Sequence, residues 1–341
     1  MLLLITILCI SLLIILHEVG HYAFAKLFGM RVLRFSLGLG PALVSKKLGE
    51  TIWQVGALPF GGFVQVDGMA PEEVGEVVDP HNYRARPRWQ RALFLAAGPG
   101  ANWLLTIVFI TLLLGTIGLE QLDTTQPTTI GRVAVGSPAE SAGLQVGDRI
   151  VSINNVTVSS FRDLIGVIQD VGVRAMPVVV ERAGISQTLT VVPRPRQSGE
   201  GFEVGLEQKT TLLRMGPLDA LKGGVRGSWN MATDILDLLW GAVRGRGDAT
   251  FVGIPKIVSM VSEQARQGLG RLFQTLASLS MSLALLNLLP VPALDGARIF
   301  LLGVEAVRRR PINPRIETWV HGIGFLVLLA LMAALSIRDL L

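Results

Sequence analysis

Residues 17 to 21 read His17-Glu18-Val19-Gly20-His21. On a helix, positions i and i+4 share a face one turn apart, so both imidazoles can reach one ion. The pattern H-E-x-x-H is a known zinc signature for that reason. Glu18 then stands beside the metal, placed to take a proton from an attacking water. From Met1 to Leu16 there is no charged side chain. Ionisable groups inside an apolar run of this kind are costly and are functional candidates by default. The plainer reading is a chance match on a core helix. It sits poorly with two of the chain's four histidines and a glutamate falling within five residues. A hydrolase built into a bilayer is the first expectation.

Catalytic zinc commonly has three protein ligands and one open position. The remaining histidines are His81, in a proline-flanked charged segment, and His321, at the start of the last apolar segment. The stronger candidate is Asp295, in the stretch from Asn287 through Pro290 and Pro292 to Gly296, where the interrupted backbone can turn a carboxylate inward.

These residues need elements to position them. The chain has 341 residues, 50% hydrophobic and 17% charged, against about 25% charged in ordinary soluble domains. Four segments are long and apolar enough to cross a bilayer: Met1 to Ala25, Ala92 to Leu119, Leu272 to Leu289, and Val320 to Ile337. The first lacks a basic leader, and the motif lies where a signal cleavage site would fall, so it reads as a retained anchor. Basic clusters at Lys26, Arg31 and Arg34, at Arg84 to Arg91, and at Arg308 to Arg315 fall on one side if both termini lie outside. The motif then lies toward the cytoplasmic half. With 6% aromatics and no interleaved basic-aromatic surface, nucleic acid is not an expected partner. Cys9 is the sole cysteine and makes no internal disulfide. Nothing in the sequence speaks to oligomeric state.

Between the first two spans, residues 31–68 alternate in places and are punctuated by glycine, which predicts a β-hairpin on the cytoplasmic side. Any part of it at membrane depth must have its backbone satisfied by protein. Residues 128–196 read as a compact α+β module: a strand at Ile130 to Val135, a proline-led helix after Ser137, and a strand at Arg149 to Ile153. A helix capped by Ser159-Ser160 follows, with Phe161, Leu164, Ile165 and Ile168 on one buried face, then two more strands. Residues 197–271 form a linker whose amphipathic helix near Trp229 and Trp240 has the pattern of an interfacial helix on the outer leaflet. The expected division is therefore 1–119, 128–196, 197–271 and 272–341.

The stretch GSPAESAGLQVGDRIVSINN resembles a PDZ domain in its permuted bacterial form. With HEVGH in the first span and Asn-Leu-Leu-Pro-x-Pro-x-Leu-Asp-Gly after a later one, the chain resembles the site-2 protease family of intramembrane zinc metalloproteases. Its nearest likeness is to the bacterial type that cuts anti-sigma factors. That resemblance implies a polytopic α-helical membrane protein of the bacterial inner membrane, with an extracytoplasmic PDZ-like domain. It implies one zinc ion on His17, His21 and Asp295, with Glu18 as general base. Gly98 to Asn102 looks like the family's glycine–asparagine motif, implying a substrate or transition-state contact for Asn102, with similar work for Asn287. Phe60, Gly61, Gly62 and Phe63 resemble the hairpin that pairs with substrate backbone. The implied partners are membrane-spanning substrates such as anti-sigma factors or signal-peptide remnants. Many relatives of this type carry two PDZ domains; this chain has room for one. Two rivals are a metal transporter, which has no need of Glu18, and an inactive PDZ-bearing adaptor, which has no need of the buried histidines.

Overall fold

The computed structural model describes residues 2–69, 79–122, 128–196, 201–245, 253–310 and 312–340. The chain forms two compact units, Met1–Ile117 with Met215–Leu341, and Gly118–Arg214. In the first unit, four helices are long and apolar enough to cross a membrane: Thr6–Leu27, Arg88–Ile117, Leu269–Leu288 and Arg315–Asp339. They coincide with the four apolar segments read from the sequence.

Helix α1 (Leu2–Leu27) ends in a glycine cap. Gly29 has a positive φ of 64°, its N–H donates to Lys26 O, and the Met30 N–H donates to Ala25 O at 2.8 Å. This arrangement satisfies the last carbonyls and turns the chain sharply. The turn delivers strand β1 (Val32–Leu48), which pairs with β2 (Thr51–Val66). The two long strands bend over into four short segments, because residues 34–37 contact 62–65 on one side and 52–55 on the other. Gly38, Gly40 and Gly61, all at φ of 85° or more, take up those breaks. Among the described residues, segment 62–66 has a strand neighbour along one edge only. Helix α2 (Arg88–Leu112) then returns across the unit beside α1.

The second unit opens and closes on an antiparallel pair, β3 (Leu119–Leu122) with the chain's last strand, Thr210–Leu213. Inside it follow β4 (Ile130–Val133), α3 (Pro138–Ser141), β5 (Arg149–Ile153), β6 (Val156–Thr157), α4 (Phe161–Val171), β7 (Met176–Arg182) and β8 (Ile185–Val191). The sheet order is β6-β5-β7-β8, and Ile150, Ile153, Leu164, Met176 and Val180 fill the core beneath it. Ser160 and Asp163 form a reciprocal capping box at the start of α4. One expected core position differs. Ile165 is exposed, and Val171 closes the buried face of α4 instead.

After this unit come α5 (Pro217–Val243), α6 (Ile254–Arg266), α7 (Leu269–Leu288), α8 (Asp295–Arg308) and α9 (Pro314–Leu340). The helix expected near Trp229 is present as α5. Helix α5 packs along α2, with Gly224 so close that a Cβ there would lie 2.9 Å from the Ile107 carbonyl. Gly223 and Gly227 meet Leu114 and Ile110 in the same way. Small residues of this spacing let two helix backbones approach, and they set the place of α5 more firmly than its tryptophans.

The three basic clusters meet at one end of the first unit. Arg86 Nη2 donates to Gly29 O at 2.6 Å, Arg84 pairs with Glu317 at 3.0 Å, and buried Arg91 pairs with Glu305 at 3.2 Å.

Candidate metal centre

His17 and His21 lie on the face of α1 that turns toward α2 and α8, and both are more than nine-tenths buried. Their Nε2 atoms are 3.2 Å apart, and Asp295 Oδ2 lies 3.3 Å from one and 3.2 Å from the other. Among the described residues they are the group of ligating side chains able to share one ion. Four donor atoms held tetrahedrally at about 2.0–2.1 Å from zinc would be separated by about 3.3 Å. The three atoms present already have that spacing.

The protonation of the rings points the same way. His21 Nδ1 lies 2.9 Å from the Phe94 carbonyl, which can only accept, so Nδ1 carries the proton and Nε2 presents a bare lone pair. That lone pair faces His17 Nε2 and Asp295 Oδ2 at 3.2 Å each, so three potential ligand atoms converge on one point. The donor set therefore fits zinc.

Asp295 reaches this point because the chain between α7 and α8 is sharply folded. Ala293 has a positive φ of 81°, and Gly296 lies so tightly against the Leu288 and Leu289 carbonyls that no side chain is possible there. Gly98 of α2 performs the corresponding service on the opposite side. A Cβ at that position would sit 2.7 Å from His17 Nε2, and closer still to His21 Nε2.

Asn102 lies on α2 beside His17. Its side chain is fully buried and faces His17 Nδ1, the ring nitrogen turned away from Asp295, at 3.4 Å. Its Oδ1 has no hydrogen-bond partner among the described residues. Turning the carboxamide through half a rotation lets Oδ1 accept from His17 Nδ1–H, the tautomer that leaves Nε2 free to bind a metal. The helix around it is held by Thr106 and Ser280, whose hydroxyls both donate to the Asn102 carbonyl.

Glu18 points to the hairpin side. It accepts from the Val64 backbone N–H, and a Cβ on Gly62 would lie 3.1 Å from Glu18 Cγ. The outward edge of segment 62–66 thus faces the metal centre. A cavity of about 250 Å3 lies between them, lined by His17, Glu18, Gly62, Phe63, Asn287 and Asp295 among others. Gly61 packs on Leu39 instead of facing the cavity. Phe60 belongs to the same strand, with its side chain outside those described. His81 is exposed and pairs with Asp79, away from the centre. His321 accepts from the Ala293 N–H at 3.2 Å and is not among the ligating group. The sequence reading missed the Phe94 carbonyl, the steric role of Gly98 and the presence of Arg298 at the cavity wall. Arg298 was within reach, since it lies three residues after Asp295 and so on the same helical face.

The profile of peptidase family M50 matches residues 5–331 of this chain. A relative in Rhizobium meliloti named "Putative zinc metalloprotease" is 34% identical, over 97% of this chain and 94% of its own length. Another of that name in Clostridium perfringens is 32% identical, over 98% and 97%. "Metalloprotease MmpA" of Caulobacter vibrioides is 30% identical, over 97% and 93%. Among solved structures, the PDZ domain of the SdrC-like protein from Listeria monocytogenes aligns at 15% identity. It covers 24% of this chain and 87% of that one, with a TM-score of 0.23. With a two-histidine, one-aspartate site spaced for zinc and a profile match along nearly its whole length, the chain belongs to peptidase family M50, the zinc-dependent site-2 proteases.

Proposed function

We propose that this metalloprotease is an intramembrane endopeptidase, cutting a peptide bond within a membrane-spanning segment of its substrate. The observation that carries the reading is the convergence of His17, His21 and Asp295 beside Glu18, against a strand edge with no strand partner among the described residues. Zinc bound there would polarise the scissile carbonyl and make water nucleophilic near neutral pH.

The remaining work falls to the chain. A bond inside a helix is shielded because its carbonyl is hydrogen-bonded within that helix, so the substrate must unwind. Segment 62–66 offers backbone donors and acceptors to the unwound strand, in the manner of β-strand addition. Glu18 takes a proton from the attacking water and delivers it to the leaving amine. Asn287, on the cavity wall, donates to the developing oxyanion, a contact whose loss commonly costs about 3 kcal/mol. Asn102 acts through His17, fixing which ring nitrogen faces the metal.

The basic clusters support an orientation with both termini outside and the metal centre toward the cytoplasm, in a bacterial inner membrane. Substrates of the anti-sigma-factor kind, or remnant signal peptides, fit a site at that depth. A transporter has no use for Glu18 against a strand edge, and an adaptor has none for the centre.

The test uses the purified protein in detergent with a labelled single-span peptide. Glu18→Gln is expected to keep its zinc and lose cleavage, whereas His17→Ala loses both. Cleavage surviving in Glu18→Gln would remove Glu18 as the base.

A further inference from the structure

A second cavity, of about 500 Å3, adjoins the first. It shares Phe63, Val64 and Arg298 with it, then continues along β2 to Val66 and across to Thr318 and His321 on α9. Arg298 stands one turn beyond Asp295 on the same face of α8. Its Nη1 is enclosed and has no hydrogen-bond partner among the described residues. His321 is 9% exposed. Its Nδ1 accepts from the Ala293 N–H, so in the neutral ring the proton is on Nε2. That Nε2 is also enclosed and without a partner among the described residues.

The cavity is lined by two residues able to donate hydrogen bonds, Arg298 and His321, and the guanidinium of the first is permanently charged. No carboxylate lines it among the described residues, and the neighbouring Glu317 is engaged by Arg84 at 3.0 Å. A cavity with an arginine and a histidine in its wall and no carboxylate among its described lining suits a ligand that brings oxygens.

We propose that this second cavity is a specificity subsite in which Arg298 and His321 receive an acceptor side chain of the substrate, the carboxylate or carboxamide of Asp, Glu, Asn or Gln. The proposal rests on the reading above that an unwound substrate strand extends along β2. From Gly62, beside Glu18, that edge runs through residues 63–66, all of which line the second cavity. At about 3.3 Å per residue, the recognised side chain lies about two to four residues from the bond that is cut. The chemistry suits a membrane substrate. An acidic side chain at the centre of a spanning helix costs about 2.5–3.5 kcal/mol on insertion scales, and a donor-lined cavity gives it a better place once the helix unwinds.

A carboxylate has a second possible source, the new C-terminus of the released fragment, and the experiment separates the two. The full-length protein in detergent is given single-span peptides carrying Glu, Gln or Leu at each position within five residues of the cut bond. Both kcat/KM and bound zinc are measured. One position is expected at which Glu and Gln are cut about 10- to 100-fold faster than Leu, the range of a charged hydrogen bond. In Arg298→Leu and His321→Leu that preference should collapse while zinc stays bound. Equal rates for Glu, Gln and Leu at every position overturn the proposal, as does a preference that survives both substitutions. Inhibition by the acid-terminated fragment, abolished by its amidation and without any side-chain preference, assigns the cavity to the product and overturns it too. Failure to cut any peptide with zinc bound overturns the intramembrane reading itself, and this proposal with it.

Discussion

In the mechanism proposed above, Asn102 governs the metal site without touching the metal. An imidazole binds through one nitrogen only if the other holds the proton, and an acceptor beside that outer nitrogen sets the choice. Phe94 supplies a carbonyl to His21, and Asn102 is the corresponding neighbour of His17. Loss of such an outer partner typically weakens metal affinity 10- to 100-fold. Asn102→Leu should show a loss of about that size when zinc is titrated against a chromophoric chelator. Asn102→Asp, which keeps an acceptor, should remain close to wild type. Equal affinity in Asn102→Leu and wild type would rule out the orienting role. The residues of this centre were legible in unequal degree. His17, Glu18 and His21 declare themselves through spacing alone, because a helix has one period. Asp295 needed its flanking prolines and glycine. What Asn102 contacts depends on how α2 rotates against α1, and that is fixed by the absence of a side chain at Gly20 and Gly98, where a Cβ would strike the neighbouring helix or its histidines.

At the scale of elements, local periodicity and turn chemistry were informative and packing was not. The strands and helices of the second unit follow the sequence reading closely, since β5, α4 and β7 each carry their own alternation or cap. Helix α8 was absent from that reading because its first turn follows two prolines and its apolar face is short. Helix α5 was read from its tryptophans, although its glycines decide where it packs. The loop from Gly143 to Asp148 shows how one side chain can fix an element. Asp148 is buried, accepts from the Gln145 N–H, and receives two bonds from Arg182, at 2.7 and 2.8 Å. Burial alone would push its carboxyl up. The Arg182 contacts and the backbone donor outweigh this and hold it below the ordinary carboxylate value. A carboxyl lowered in the folded state contributes stability that is complete above its unfolded value of about 3.9 and is lost as pH falls through the folded value. Asp148→Asn should therefore destabilise this unit by about 2 kcal/mol near neutral pH. The difference from wild type should narrow as pH drops below about 4. Hydrogen exchange of peptides within 128–196 of the intact protein measures both. A gap unchanged down to acid pH would refute the role given to Asp148.

For the whole molecule, the decisive question is direction across the bilayer. The basic clusters gather at one end of the first unit, partly through the ion pairs of Arg84 and Arg91. Since Cys9 is the sole cysteine, a Cys9→Ser background makes single-cysteine mapping straightforward. In intact cells a membrane-impermeant thiol reagent should label Ser186→Cys on β8. It should reach Arg308→Cys at the end of α8 only after permeabilisation. The reverse pattern would invert the orientation and place the metal centre toward the outside.

The paired strands at the two ends of the second unit carry a further consequence, one of chain entropy. The unit is entered at Leu119–Leu122 and left at Thr210–Leu213, and these strands lie side by side. Close by in the first unit, the Met215 N–H donates to the Leu114 carbonyl. Once the inserted unit has folded, roughly a hundred residues act as a linker of only a few. Loop closure scales with the logarithm of loop length, so this shortening lowers the cost of bringing α2 and α5 together by about 2–3 kcal/mol. The folding of the second unit thereby helps α2 and α5 find one another during assembly.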